Sequence, residues 1–350
     1  MDQTGQNETL PAPLIIPVAS GKGGVGKSLF AANLALSLAA SGNRVVAVDL
    51  DLGGSNLHSC LGLGNTHAGI GDFINASDLT LEEIIVSTPF SNLGFLPGDG
   101  VTPFLANLGY FQKLKLIRSL KALDVDYIVA DLGAGSSFNT LDFFAMSTRG
   151  IIVATPDTMS LLNAMTFLKH FVLRQVGQII RGDHRLKEII DRQKHQGLRI
   201  PAGSVTELVK QIEEIDKTAA REVTDRLQTL RPRLVMNQVD SAEDLNLLQP
   251  VEHNLLDKLS LPVESFGVIP FDANVRRLVR DRGVLLKDLP ESLVSQGVQR
   301  IAGRVERLWN RNLESSLERL LIDTRGWLHD EPAESLDENS ETHGEAELEA

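Results

Sequence analysis

The chain has 350 residues, 42% of them apolar and 23% charged, which is enough for one large α/β domain or two small ones. Its formal net charge is −12, but nine carboxylates fall in the last 21 residues, "DEPAESLDENSETHGEAELEA", which hold no Lys or Arg; without those nine the rest is near −3. No apolar stretch reaches the roughly 18–20 residues that span a bilayer. The start "MDQTGQNETLPAP" has neither the basic nor the apolar region of a secretory signal. The single cysteine, Cys60, excludes an intramolecular disulfide and a multi-cysteine metal cage within one chain, and a cytoplasmic protein is expected.

In chain order, residues 1–13 are expected to be a flexible segment, and "LIIPVA" (14–19) a short buried strand. The strand runs into a glycine loop, and "SLFAANLALSLAASG" follows as a helix. Leu29, Ala32, Leu36 and Ala39 recur there at helical spacing and Gly42 closes it. "RVVAVDLDLG" reads as a second strand whose unbroken apolar run suits a parallel sheet covered on both faces. "LGFLPG" reads as a short strand and "FQKLKLIRSLKAL" as a helix with a basic outer face. "DYIVADLGAG", "GIIVATP", "PRLVMNQVD" and "SFGVIPFD" are further strands. Strands alternating with helices predict an α/β fold, a doubly wound, mostly parallel sheet with helices on both faces.

About 75 residues separate "GIIVATP" from "PRLVMNQVD", far more than one crossover needs. Residues 175–230 are charged, helical in pattern and broken at "GLRIPAGS", and read as a helical insertion. Its first half is basic, with Arg174, Arg181, Arg185, Lys187, Arg192 and Lys194. From Pro290, Val294, Val298, Ile301, Val305 and Leu308 mark an amphipathic helix that closes a domain spanning 14–308. Residues 309–328 extend the pattern through Trp309, Leu313, Leu317, Leu320 and Leu321, and 329–350 form an acidic tail expected to be disordered.

The chemistry concentrates in the glycine loop. Gly21-Lys22-Gly23-Gly24-Val25-Gly26-Lys27-Ser28 satisfies G-x-x-x-x-G-K-[ST] between a predicted strand and a predicted helix. Glycines let backbone N–H groups, from Gly21 through Leu29, converge on phosphate oxygens with the helix dipole behind them. Lys27 would bridge the terminal phosphates of ATP, and the Ser28 hydroxyl would ligate Mg²⁺. Asp131 ends an apolar strand, where a magnesium ligand belongs. Gly133 and Gly135 would let the following loop move when the γ-phosphate leaves.

"KGGVGKS" resembles the deviant Walker A loop of the MinD/ParA ATPases, and residues 14–290 can be laid along that family. The run "DLGAGSSFNTLDFF" is similar to the FlhG-like members that regulate flagellar number. The resemblance implies that Lys22 acts in trans, reaching the phosphates held by a second subunit, so that ATP binding and homodimerisation become one switch. It implies that Asp51 orients the attacking water, that Asp49 supports the magnesium shell or the neighbouring loop, and that Asn56 lies in a switch region. It places Asn237 at the adenine edge, with Pro270 and Asp272 near the base. It further implies a regulatory protein partner, an FlhF-like GTPase in the flagellar case. MinD-like proteins also end in a membrane-targeting helix, so 309–328 has two readings: peripheral contact with the inner face of the plasma membrane, or packing on the domain. A ParA-like partner, nonspecific DNA, is the alternative that the basic half of the insertion favours and the net charge opposes.

Overall fold

The computed structural model describes residues 12–76, 78–98, 108–186, 188–189 and 204–328. Most of the segment 1–13 and the whole acidic tail 329–350 lie outside the described residues. Eight strands form a single sheet: β1 (Leu14–Ala19), β2 (Val45–Leu50), β3 (Val86–Ser87), β4 (Leu93–Leu96), β5 (Tyr127–Leu132), β6 (Ile151–Ala154), β7 (Arg233–Val239) and β8 (Glu264–Pro270). Their order is β3-β4-β2-β5-β1-β6-β7-β8. Every pairing is parallel except that of β3 with β4. The doubly wound sheet expected from the sequence is therefore present, with one addition. The two-residue β3 is too short for periodicity to reveal.

The main helices are α1 (Lys27–Ala40), α2 (Tyr110–Ala122), α3 (Phe138–Phe144), α4 (Thr158–Ile179), α5 (Ser204–Ile215), α6 (Lys217–Thr229), α7 (Leu248–Leu259), α8 (Ala273–Arg280), α9 (Leu293–Leu308) and α10 (Ser316–Leu328). They cover both faces. One core joins Phe30, Leu34 and Leu38 of α1 to Val294, Val298 and Ile301 of α9 across the sheet's side chains. The other gathers α2 to α7 on the opposite face, where Phe144 meets Phe167 and Phe171 edge-on at 5.1 and 4.9 Å. Each such aromatic pair adds about 0.5–1.5 kcal/mol beyond its buried area. Gly42 stops α1 as its position suggests, with φ +94° and its N–H on Ala39 O. A side chain there would be strained.

One expectation needs correction. The basic face of α2 is not wholly turned outward: Lys113 is buried and paired with Asp142, and Lys115 donates to Phe73 O and Ala76 O. The C-terminal amphipathic pattern, split in the sequence between 294–308 and 309–328, forms two helices. The chain breaks after Trp309, passes Ser315 at φ +51°, and restarts as α10 beside β8, where Ser265 N–H donates to Ser316 Oγ. Trp309, Leu317 and Leu320 are all buried against the chain's own core. Among the described residues no helix is long and apolar enough to cross a membrane.

Between β6 and β7 the described residues are helical, but the basic half of that region is partly engaged. Arg174 pairs with Asp142 and Arg185 with Asp183, while Arg181 lies over the Tyr110 ring. Lys187, Arg192 and Lys194 lie outside the described residues.

Candidate nucleotide site

The chain leaves β1 and turns one way to β2 and β5 and the other way to β6 and β7, so the carboxyl end of β1 is a topological switch point. Ligands bind open α/β sheets in that crevice. The glycine loop lies there. Gly26 takes φ +83°, and a Cβ on it would come within 2.3 Å of Asn237 Nδ2. A Cβ on Gly21 would strike the α4 backbone at Asn163 C, 2.2 Å away. Both positions need glycine on steric grounds, one for its dihedral and both for close approach.

Lys27 and Asp131 meet at the bottom of the crevice, Nζ to Oδ1 at 2.6 Å, with side chains 7% and 0% exposed. Lys27 Nζ also donates to Ser28 Oγ at 3.3 Å. Parallel register sets Asp131 beside Asp49 on β2, so two carboxylates are buried side by side. Burial pushes the Asp131 carboxyl above its ordinary range, against the pull of Lys27. Burial and the Asp131 charge push Asp49 up to about 7. Asp49 is committed to its own loop: it accepts from Asp51 N, Ser55 Oγ and Leu57 N at 3.1, 2.5 and 3.1 Å. Asp131 is not so committed. Its Oδ2 is buried and has no hydrogen-bond partner.

That orphaned oxygen tests the fit of a magnesium ion. A buried, partnerless carboxylate oxygen costs free energy unless something polar meets it, and the nearby donors, a carboxylate and the Ser28 hydroxyl, are hard oxygens. Mg²⁺ at phosphate sites takes one or two such protein oxygens and completes its shell with water and phosphate. The residues therefore fit the group. No cluster of three or more His, Cys, Asp or Glu forms a metal cage among the described residues.

Asp51 is half-buried, and a Cβ placed on Gly133 would lie 3.2 Å from its Oδ1. Its carboxylate thus flanks the loop after β5. That loop is tied to the glycine loop by Gly135 N–H donating to Ser20 O at 3.0 Å. Ser136 Oγ contacts His170 Nδ1 of α4 at 2.6 Å. Asn56 donates to Gly54 O at 2.7 Å within the loop after β2.

The other side of the glycine loop opens into a cavity of about 470 Å³, lined by Gly24, Leu29, Asn237, Pro270, Asp272 and Val275 among others. Asn237 stands at the expected end of its strand, but its amide donates to Val25 O at 2.8 Å and so holds the loop. Asp272 lines the cavity while capping α8 through Asn274 N. Sequence reasoning missed Phe271, 51% exposed at the mouth of this cavity. A large ring next to a proline and an N-cap aspartate was the available signal.

Lys22 does not point into its own site. Its Nζ lies 3.1 and 3.3 Å from the Asp157 carboxylate at the start of α4, with both side chains well exposed. Asp157 was also missed. It is 135 positions away, and in "TPDTMS" it reads only as a helix cap, which it also is, accepting from Ser160 N at 2.8 Å.

A phosphate loop at a switch point, a buried lysine–aspartate pair beneath it and an open cavity alongside define a P-loop nucleotide-binding protein. The profile of the CobQ/CobB/MinD/ParA nucleotide binding domain matches residues 16–284, and the chain belongs to that family. It is 29% identical over 299 residues to the flagellum site-determining protein YlxH of Helicobacter pylori, covering 82% of this chain and 80% of that one. It is 32% identical over 183 residues to the septum site-determining protein MinD of the same organism, 52% of this chain and 65% of that one. In fold it is similar to the Pyrococcus horikoshii MinD solved with Mg-ADP, at TM-score 0.55 and 23% identity over 85% of this chain and 98% of that one. ATP with Mg²⁺, expected from the loop, accords with these relatives.

Proposed function

We propose that the chain is a MinD/ParA-type ATPase that works as an ATP-dependent dimerisation switch in the spatial or numerical control of a cellular structure, with flagellar regulation of the FlhG kind first and division-site positioning second. The observation that carries the switch is Lys22. A conventional phosphate loop needs one lysine, and Lys27 already lies buried at Asp131. The second lysine is exposed and held only by a surface ion pair, of the kind worth about 0–1 kcal/mol. Such a contact is cheap to release when a partner's triphosphate offers a better one.

Within one protomer, Lys27 and the loop N–H groups hold the phosphates, Ser28 and Asp131 hold Mg²⁺, and Asp51 orients water. Mg²⁺ supplies charge neutralisation on the phosphate oxygens. Lys22 of the second protomer completes the charge stabilisation, as an arginine finger does, and a cation of that sort is worth ~10³–10⁵ in rate. Hydrolysis is then slow in the monomer and open to stimulation by a protein partner. The overall likeness to YlxH supports the flagellar assignment, because the match extends over most of both chains.

Light scattering with ATP and Mg²⁺ tests the reading. The wild type should form dimers and hydrolyse ATP, and Lys22→Ala should lose hydrolysis. A monomer that hydrolyses ATP at full rate, with and without Lys22, overturns it.

A further inference from the structure

One residue of β7 breaks the strand's pattern. Every residue from Arg233 to Val239 is buried except Gln238. Gln238 takes φ +60°, and among the described residues no other non-glycine residue inside a strand or helix has a positive φ. The left-handed region is unfavourable for a glutamine, and strain of this kind gathers at binding sites. The register shows its origin. Asn237 stands opposite Ile269 and Val239 opposite Pro270, so Gln238 is an extra residue with no place in the ladder. A bulge re-aims a side chain. Here it delivers Gln238 to the lining of the cavity beside the glycine loop, which Gly24 and Gly26 of that loop also line. Among the described residues the Gln238 side chain has no hydrogen-bond partner.

Four polar side chains line this cavity: Asn237, Gln238, Asp272 and Arg276. The N6–N7 edge of adenine presents one donor and one acceptor, so a group that reads it must accept and donate at once. The Asn237 nitrogen is turned to the loop, donating to Val25 O at 2.8 Å and crowding Gly26, which leaves its oxygen to face a base. Asp272 accepts from Asn274 N, and a carboxylate can only accept. Arg276 can only donate, and its fork suits the two acceptors of guanine, O6 and N7. Gln238 alone of the four has both an unused donor and an unused acceptor. Leu29, Pro270, Val275 and Val294 offer apolar surface to the faces of a ring.

Given the ATP reading of the crevice, on which this rests, we infer that Gln238 is the residue that selects adenine over guanine, its side-chain amide pairing with the N6–N7 edge of the base. Oε1 accepts from the 6-amino group and Nε2 donates to N7. Guanine sets O6 against Oε1 and loses the first of these bonds. Asn237 then serves mainly to hold the glycine loop, and the bulge is what brings the reading amide into the cavity.

Nucleoside diphosphates test this, because they keep dimerisation driven by the γ-phosphate out of the measurement. Isothermal titration of the full-length chain with Mg²⁺ compares ADP, GDP and 7-deaza-ADP, in which a C–H replaces the N7 acceptor. The wild type should bind ADP about 5–100-fold more tightly than GDP, the range of a two-bond base contact. It should bind ADP about 2–10-fold more tightly than 7-deaza-ADP, the worth of one hydrogen bond. Gln238→Glu keeps the size and the acceptor for N6 but sets an oxygen against N7, so it should bind 7-deaza-ADP at least as tightly as ADP. Gln238→Gly, the residue best suited to φ +60°, should bring ADP and 7-deaza-ADP level. Arg276→Gln should keep the ratios of the wild type. A wild type that binds ADP and 7-deaza-ADP alike, or that prefers GDP, overturns the inference, as does discrimination that survives both Gln238 variants. If no diphosphate binds the wild type, the ATP reading of the crevice falls and the role of Gln238 falls with it.

Discussion

The two ends of the sheet each bury an ion pair, and the two pairs are furnished differently. At the amino ends of β7 and β8, Arg233 Nε meets Glu264 Oε2 at 3.1 Å with side chains 0% and 4% exposed. Its Nη2 donates to the carbonyls of Leu308, Trp309 and Arg311 at 3.0–3.2 Å. The rings of Phe266 and Trp309 lie 4.1 and 4.5 Å from its guanidinium carbon. Glu264 Oε1 takes the N–H of Leu313. At the carboxyl ends of β1 and β5, Lys27 and Asp131 have each other and little else, and one carboxylate oxygen has no partner. The first pair is surrounded by its own chain and fastens the C-terminal helices. The second is left incomplete at a crevice. Each pair keeps one buried atom without a hydrogen-bond partner, Arg233 Nη1 and Asp131 Oδ2, so the place of the gap separates them: closed in by the chain's own rings and carbonyls it belongs to a fastening, and open to a crevice it belongs to a receptor.

The contrast can be broken most sharply through catalysis. Lys22→Ala should lower ATP turnover ~10³–10⁵-fold, on the scale of an arginine finger, while leaving the melting temperature unchanged. Steady-state phosphate release together with a thermal melt checks both halves.

Next in size is the fastening. Arg233→Met leaves Glu264 buried and unpaired and should cost about 3–5 kcal/mol, measured by urea unfolding. Arg233→Met/Glu264→Leu should recover most of that loss. Failure of the double variant to recover would mean that the carbonyl and ring contacts outweigh the pair.

Asp131→Asn should separate the two ends further. It should weaken magnesium-dependent nucleotide affinity by about 10–100-fold, the usual penalty for disturbing a metal's surroundings. Stability of the nucleotide-free protein should fall, because Lys27 is left buried beside a neutral amide, but by less than at Arg233, because burial already disfavours the Asp131 charge. Isothermal titration with and without Mg²⁺, plus a melt, decides it.

The smallest effect belongs to Asp142, which stands apart from both ends. Burial raises its pKa, but Arg174 and Lys113 outweigh that and hold it below the ordinary 3.8. A carboxyl depressed on folding contributes stability fully above its unfolded value and loses it as pH falls through the folded one. Urea unfolding of wild type and Asp142→Asn should therefore differ at pH 5–7, with the gap starting to narrow near 3.8 and closing only below the lower value that Asp142 has in the folded chain. A constant gap across that range would assign the loss to packing instead.

How far these features were legible in the sequence follows from their range. The strands announced themselves because parallel strands buried on both faces read as continuous apolar runs, as in "RVVAVDL" and "DYIVADL". The glycine loop was legible because its residues act as consecutive neighbours. The Lys22–Asp157 contact was not, since pairing across 135 positions leaves no local trace. The break after Trp309 was legible as a division between 294–308 and 309–328 but not as a turn. Amphipathic spacing continues through Leu313 and Leu317 although the backbone does not. Asn237 shows a third kind of limit. Its position at the strand end was readable, but its bond to Val25 O depends on the curl of a loop 212 residues earlier.

Arg233 bears on how the molecule is made. Its carbonyl partners are translated 75–78 residues after it. At ordinary synthesis rates that delay is about 4–16 s. Until Leu308 through Arg311 emerge from the ribosome, the guanidinium has Glu264 and the Phe266 ring but none of its carbonyl partners, and its outer side stays open to water. A nascent polypeptide interrupted before Trp309 would leave this cation half open, an inviting target for quality control.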